Sequence, residues 1–239
     1  MPHLSYPNES AAYRDARNKL LDAEIALRAQ IEAVAAQRRA LPPGGKLPED
    51  YVFERIGAET MPERVRLSDL FGGCDTLILY SFMYGPERKG PCPGCTHLLD
   101  GLDGAARHIS QRASLFIVAK SPLARLVAWA HSRGWDHLQF LSTAGNSYDA
   151  DYFGDTSKFS PSLRRQHGVP DGENWDETIY NVFHRDADGI RHFWGSEMSF
   201  TKSPPGEHHR SGDFANPLWG LLDITPEGRR DFFPKLSYP

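Results

Sequence analysis

The sequence predicts an α/β fold with parallel crossover connections, and three observations carry that prediction. The run Thr76-Leu77-Ile78-Leu79-Tyr80-Ser81-Phe82-Met83-Tyr84 is almost continuously apolar and aromatic, as a strand buried on both faces requires. A cysteine pair, Cys92-Pro93-Gly94-Cys95, stands between that run and a helical pattern beginning near Thr96. From residue 76 to residue 142, strand-like and helix-like segments alternate.

Taken in order, residues 10–39 read as one long amphipathic helix. Tyr13, Leu20, Leu27, Val34 and Leu41 recur at seven-residue spacing, with Ala16, Ala23 and Ile31 near the same face. Pro42-Pro43-Gly44-Gly45 stops it. Such a helix serves either as an arm laid on its own domain or as a dimerisation arm. Tyr51-Val52-Phe53-Glu54 reads as a short strand, and Arg66–Gly73 as a short helical turn broken by glycines. After the main strand and the loop 85–90, Leu98, Leu102, Ala105, Ala106 and Ile109 mark one apolar face of a helix ending by Arg112. Ser114–Ala119 is a compact strand. Ser121-Pro122 opens a helix over Leu123–Ser132 that stops at Gly134, and Leu138–Ser142 is a further strand. Residues 143–177 lose periodicity and read as a long loop, of the kind that walls a site. Thr178–His184 and Ile190–Trp194 flank an Asp188-Gly189 turn and form a hairpin. The tail from Ser203 is rich in proline and aromatic residues, with a short helical turn expected at Leu218–Asp223. The expected organisation is an N-terminal arm (1–45), a main domain (46–200) and a C-terminal extension packed on it (201–239).

The cysteine pair carries the chemistry. A cysteine at a helix N-terminus faces unpaired N–H groups and the positive end of the helix dipole, which favours thiolate, the species that attacks disulfides and peroxides. Cys92 and Cys95 are therefore the candidate catalytic residues, Cys92 attacking and Cys95 resolving. Arg88 and Lys89 either lower a thiol pKa from the adjoining loop or form a solvated face. Two rival readings stand beside this one. Cys92, Cys95 and His97 with distant His184, His192, His208 or His209 would suit zinc, but no second CxxC or HxxxH accompanies them. A non-catalytic binding module needs neither. Cys74, before the main strand, reads as a small structural residue. No cofactor and no metal is expected.

Leu41-Pro42-Pro43-Gly44-Gly45, Leu67-Ser68-Asp69-Leu70-Phe71, Tyr80–Tyr84, Cys92–Cys95, Tyr180–Asp186 and Leu222–Arg229 together resemble the DUF899 family of thioredoxin-like bacterial proteins. The resemblance covers nearly the whole chain from about residue 15. It implies a thioredoxin-like three-layer sandwich, here with a long N-terminal helix and a C-terminal extension, while the strand–CxxC–helix layout is what points to a dithiol–disulfide oxidoreductase. It has departures. Pro93-Gly94 replaces the Gly-Pro of thioredoxins, no acidic residue lies inside Thr76–Tyr84, and no proline directly precedes Thr178. The Leu67–Leu70 element is more similar to peroxiredoxins, in which the attacking cysteine matches Cys95. This leaves a thiol peroxidase with Cys95 attacking as the alternative.

The remaining numbers exclude other classes. With 27 Lys and Arg against 31 Asp and Glu, the net charge of −4 offers no basic surface for nucleic acid. No apolar run approaches a membrane span, and the first ten residues lack a basic start and apolar core, so the expectation is a cytoplasmic protein without a secretory signal. Three cysteines make no disulfide framework. The expected partners are a protein disulfide or a small thiol or peroxide substrate, and a second copy bound through the N-terminal helix.

Overall fold

A computed structural model describes residues 4–57 and 61–239. The chain divides into two units, Met1–Pro43 and Gly44–Pro239. The first is built on helix α1 (Ala11–Arg39), whose start is capped by Ser10 Oγ accepting from the Tyr13 N–H and whose last turn carries Arg38 and Arg39 beside the helix's negative end.

The second unit centres on a seven-stranded sheet in the order β2-β1-β5-β4-β3-β6-β7. Its strands are β1 (Val52–Ile56), β2 (Pro62–Arg66), β3 (Thr76–Ser81), β4 (Ser114–Ala119), β5 (Phe140–Ser142), β6 (Tyr180–Asp186) and β7 (Gly189–Gly195). β3, β4 and β5 are parallel; β6 and β7 continue the sheet antiparallel from β3. Helices α2 (Pro93–Ile109) and α3 (Leu123–Arg133) make the crossovers. Both crossovers step the same way across the sheet, so their common hand puts both helices on one face.

Alternation along each strand then divides the core. Tyr80 and Ile117 point to the helical face, where they meet Leu99 and Leu102 of α2, Leu126 of α3, and Trp135. Leu77, Leu79, Phe116 and Val118 point to the other face, covered by Leu67, Leu70 and Phe71 and by Tyr148 of a short helix α4 (Tyr148–Asp151). This is the expected three-layer arrangement, with the second covering layer built from short turns.

Several boundaries differ from the sequence expectation. The main strand ends at Ser81 rather than Tyr84, where the chain turns away and the Tyr84 N–H bonds back to the Phe82 carbonyl. β2 was not expected. It is a charged edge strand, and only Val65 in it is buried, so no apolar run betrays it. Residues 143–177 contain α4 and a further helix, α5 (Pro161–His167), instead of one irregular loop. Ser160 caps α5, Pro161 takes its first turn and Gly168 ends it in the left-handed region at φ 68. Those three residues were the available signal, hidden by the absence of any buried residue in so short a helix. The Arg164 guanidinium ties the segment together, donating to the carbonyls of Thr156, Pro170 and Glu173. In the tail, α6 spans Pro217–Asp223.

Candidate active site

The carboxyl ends of parallel strands, where loops converge, are the usual place for a site in open α/β sheets, and the cysteine pair lies there. Past Ser81 the chain is fixed by backbone bonds: Ser81 N–H to the Ile179 carbonyl (2.9 Å), Phe82 N–H to Val118 (2.8 Å), and Cys92 N–H to Met83 (3.0 Å). Arg125 of α3 braces the intervening loop. Its guanidinium donates to the Gly85 and Arg88 carbonyls and lies over the Tyr84 ring at 4.1 Å. The Gly85 N–H donates to Asp176 at 2.6 Å, and a side chain at residue 85 would come within 2.5 Å of that carboxylate. Glycine is therefore required for this close approach.

α2 begins at Pro93, three residues earlier than expected, which makes Cys92 its N-cap residue. The two thiols are unequal. The Cys92 pKa is pulled down to about 6, first by a hydrogen bond from the Cys95 thiol, then by the backbone N–H groups of Cys95 and Gly94, with a smaller contribution from Arg88. Burial opposes the shift without reversing it. Cys95 is buried, and its pKa is held well above that of an ordinary thiol by donating to Cys92 and by burial. The pair thus shares one proton on Cys95, leaving a Cys92 thiolate near neutral pH. Of the two loop cations considered from sequence, Arg88 helps to lower the Cys92 pKa.

Tyrosines and a carboxyl complete the surroundings. Tyr80 bonds its hydroxyl to Cys95, and the Tyr180 ring packs tilted against Tyr80 at 4.6 Å. Both phenols are kept protonated by burial. The carboxylate that the strand lacks is supplied from elsewhere. Glu177, just before β6, has its pKa pushed up to about 7, chiefly by burial, with Asp176 and the Cys92 thiolate adding to the rise. Its sequence signal was only the acidic pair Asp176-Glu177 ahead of a strand.

The other candidates fall elsewhere. Cys74 precedes β3 at the end opposite the cysteine pair, so the strand's six residues, about 20 Å, separate it from the site. His97 of α2 accepts from the Asn216 amide at 2.5 Å, His192 pairs with Asn181 at 3.0 Å, and His209 pairs with Ser211 at 2.7 Å. Among the described residues, no three His, Cys, Asp or Glu side chains gather where a metal ion could be held.

A pocket of about 190 Å³ opens onto both cysteines. Tyr80 and Tyr180 form its sheet side, and Ser211, Asn216 and Trp219 of the C-terminal extension form the opposite wall.

A CxxC dithiol at the start of the helix after a central parallel strand, followed by a parallel βαβ unit and then an antiparallel hairpin in the same sheet, defines a thioredoxin-like α/β protein. The chain belongs to DUF899, a family described as bacterial protein of unknown function, whose model matches residues 3–237. No curated protein matches the sequence. Among solved structures, the chain is similar to the peroxidoxin BcpB of Mycobacterium tuberculosis, at 19% identity over 77% of this chain and 99% of that one, with a TM-score of 0.44. It is also similar to reduced Prx3 of Vibrio vulnificus in complex with hydrogen peroxide, at 12% identity over 70% and 91%, TM-score 0.44. A third is the exposed lipoprotein thioredoxin Etrx1 of Streptococcus pneumoniae, at 16% identity over 66% and 91%, TM-score 0.36. Among the described residues, no helix is long and apolar enough to cross a membrane.

Proposed function

We propose that the protein is a cytoplasmic thiol–disulfide oxidoreductase working through Cys92 and Cys95. The observation that carries this reading is the asymmetry of the pair: a Cys92 thiolate stabilised at a helix start, and a protonated Cys95 buried behind it. The Cys92 thiolate attacks one sulfur of a substrate disulfide. The S–S bond breaks, one substrate thiolate leaves and takes up a proton, and a mixed disulfide remains. Cys95 then gives up its proton and attacks the Cys92 sulfur, releasing the second substrate thiol and forming the Cys92–Cys95 disulfide. Two electrons pass from the dithiol to the substrate, and an external thiol reductant returns them by the reverse steps. Glu177, with a pKa near neutrality and within electrostatic reach of Cys92, is suited to exchange a proton at the site during turnover.

The same asymmetry favours Cys92 over Cys95 as the attacking residue. It therefore weighs against the peroxidase alternative, in which the buried, high-pKa thiol would attack. Self-association through α1, whose apolar residues recur at heptad spacing, belongs to this reading as the means of dimer formation.

Iodoacetamide labelling across pH tests the proposal. The Cys92 rate is expected to rise through a midpoint of about 6. Two ordinary midpoints near 8.5 would sink it. Replacing Glu177 by Gln removes a charge that opposes the thiolate, so the Cys92 midpoint is expected to fall slightly. Meanwhile the limb of the turnover profile near pH 7 disappears. A midpoint and turnover profile unchanged in Glu177→Gln would remove this carboxyl from the mechanism.

A further inference from the structure

The C-terminal extension is latched along the helix that carries the dithiol. Gly94, His97 and Gly101 lie on one face of α2, at positions i, i+3 and i+7. Each meets a residue of the tail. The Phe233 ring reaches within 3.3 Å of where a Gly94 side chain would begin, and Asn216 bonds to His97. Pro217 lies 3.6 Å from the corresponding position at Gly101. Farther along, the Arg133 guanidinium donates to the Leu236 carbonyl at 2.9 Å. A buried cation fastens the tail to itself. Arg229 forks across two carboxylates, Asp213 at 2.5 and 3.0 Å and Asp223 at 2.7 Å, with its guanidinium 5.3 Å from the centre of the Trp219 ring. Phe214, from the same segment, packs on Tyr180 and Trp194.

This strap gives the pocket over the cysteines its outer wall. At about 190 Å³ it is smaller than the roughly 300–1,000 Å³ of common ligand pockets. A disulfide in a folded protein brings two backbone segments with it, their Cα atoms about 5.5 Å apart. Ser211, Asn216 and Trp219 of the strap line the pocket beside the cysteines and narrow the room for those segments. Apart from the Cys92 thiolate, the lining is uncharged. Among the described residues, it includes no Asp, Glu, Lys or Arg, and burial lowers the pKa of His97 so that its ring is neutral at pH 7. An anionic ligand would lose its hydration there without a cationic partner and would face the Cys92 thiolate. Hydroxyls are present instead. Ser196, Ser199 and Ser211 line the pocket, and so does Tyr180, whose buried hydroxyl has no hydrogen-bond partner.

We propose that the C-terminal extension makes this site a narrow pocket for a low-molecular-weight, uncharged, polar disulfide and disfavours the disulfides of folded proteins. The inference rests on the oxidoreductase reading for its chemistry, which is the exchange described above, and it names the substrate class. The Tyr180 hydroxyl donates to a polar group of the substrate beside the sulfur under attack.

Single-turnover oxidation of the reduced Cys74→Ser protein tests it. Bis(2-hydroxyethyl) disulfide, glutathione disulfide and insulin serve as oxidants. The neutral small disulfide is expected to react at least tenfold faster than the charged one and about a hundredfold faster than insulin, differences of the size that desolvation and exclusion produce. Insulin reacting as fast as the small disulfide, or glutathione disulfide matching it, overturns the proposal. Phe233→Ala, at an exposed position, and Arg229→Ala are each expected to narrow the insulin gap about tenfold by loosening the strap. An unchanged gap in both overturns the strap's role. A readout independent of turnover separates the two readings. Cys92 in the unmodified strap is expected to react readily with iodoacetamide and slowly with a maleimide carrying a polyethylene glycol chain, and Phe233→Ala removes the difference. If no disulfide oxidises the protein but this discrimination holds, the redox reading fails and the narrow pocket stands. Equal labelling by both reagents overturns the pocket.

Discussion

Cys92→Ser is expected to abolish disulfide reduction, while Cys95→Ser traps the substrate on Cys92. The two outcomes differ because the thiols hold different places in one sequence of steps. Cys92 is the N-cap residue of α2 and opens onto the pocket, and its sulfur receives the Cys95 hydrogen bond and two backbone N–H groups. A serine hydroxyl there is protonated at any working pH and does not attack a disulfide. Loss of at least about a thousandfold in rate follows, since a nucleophile acting in a unit accounts for most of the rate. Cys95 is buried behind it and becomes useful only after the first S–S bond has broken. In the Cys95→Ser variant the mixed disulfide has no intramolecular thiol to release it, so mass spectrometry should find the protein heavier by one substrate thiol residue. The peroxidase alternative makes the reverse assignment, with Cys95 oxidised first by peroxide in the Cys92→Ser variant. Unchanged reduction in both variants would end the dithiol reading altogether.

The second large effect is on stability. Unfolded, Cys92 keeps its proton up to its ordinary pKa of 9.0; folded, it releases the proton at about 6. Between those values the unfolded state binds more protons, so stability rises with pH and is lost as pH falls through about 6. Glu177 acts in the opposite sense, because its folded pKa is raised, but only from its ordinary 4.5 up to about 7. The raised pKa of Cys95 weakens the folded state only at pH values above 9.0. The window from about pH 7 to 8.5 therefore belongs to Cys92, and the reduced protein should gain about 2 kcal/mol across it. Urea unfolding of the reduced protein at the two pH values measures this. The gain should be absent from Cys92→Ala and from the oxidised form, in which Cys92 has no thiol to titrate. A flat profile in the reduced protein would mean that Cys92 is an ordinary thiol.

The division between sequence and tertiary structure follows the range of the interactions concerned. β3, β4, α2, α3 and the β6–β7 hairpin were legible because each declares itself within a few residues, by apolar runs, helical spacing or an Asp-Gly turn. The cysteine pair was legible for the same reason, although the helix after it was expected only from about Thr96 and in fact begins at Pro93. β2 and α5 were not, because a charged edge strand and a short helix with no buried residue bury too little to leave a pattern. What distinguishes Cys92 from Cys95 depends on depth in the fold, since the burial of one thiol and its hydrogen bond to the other set both pKa values. Glu177 was invisible as a site residue because its pKa is raised mainly by burial, which no local pattern reveals. The strap depends on pairs such as Gly94 with Phe233 and His97 with Asn216, more than a hundred positions apart. The sequence by itself determined the principal strands and helices and the place of the cysteine pair between β3 and α2. Only the folded chain decided how differently the two sulfurs are buried and that the tail lies beside them, because those contacts arise from residues that meet only when the sheet, α2 and the tail are assembled.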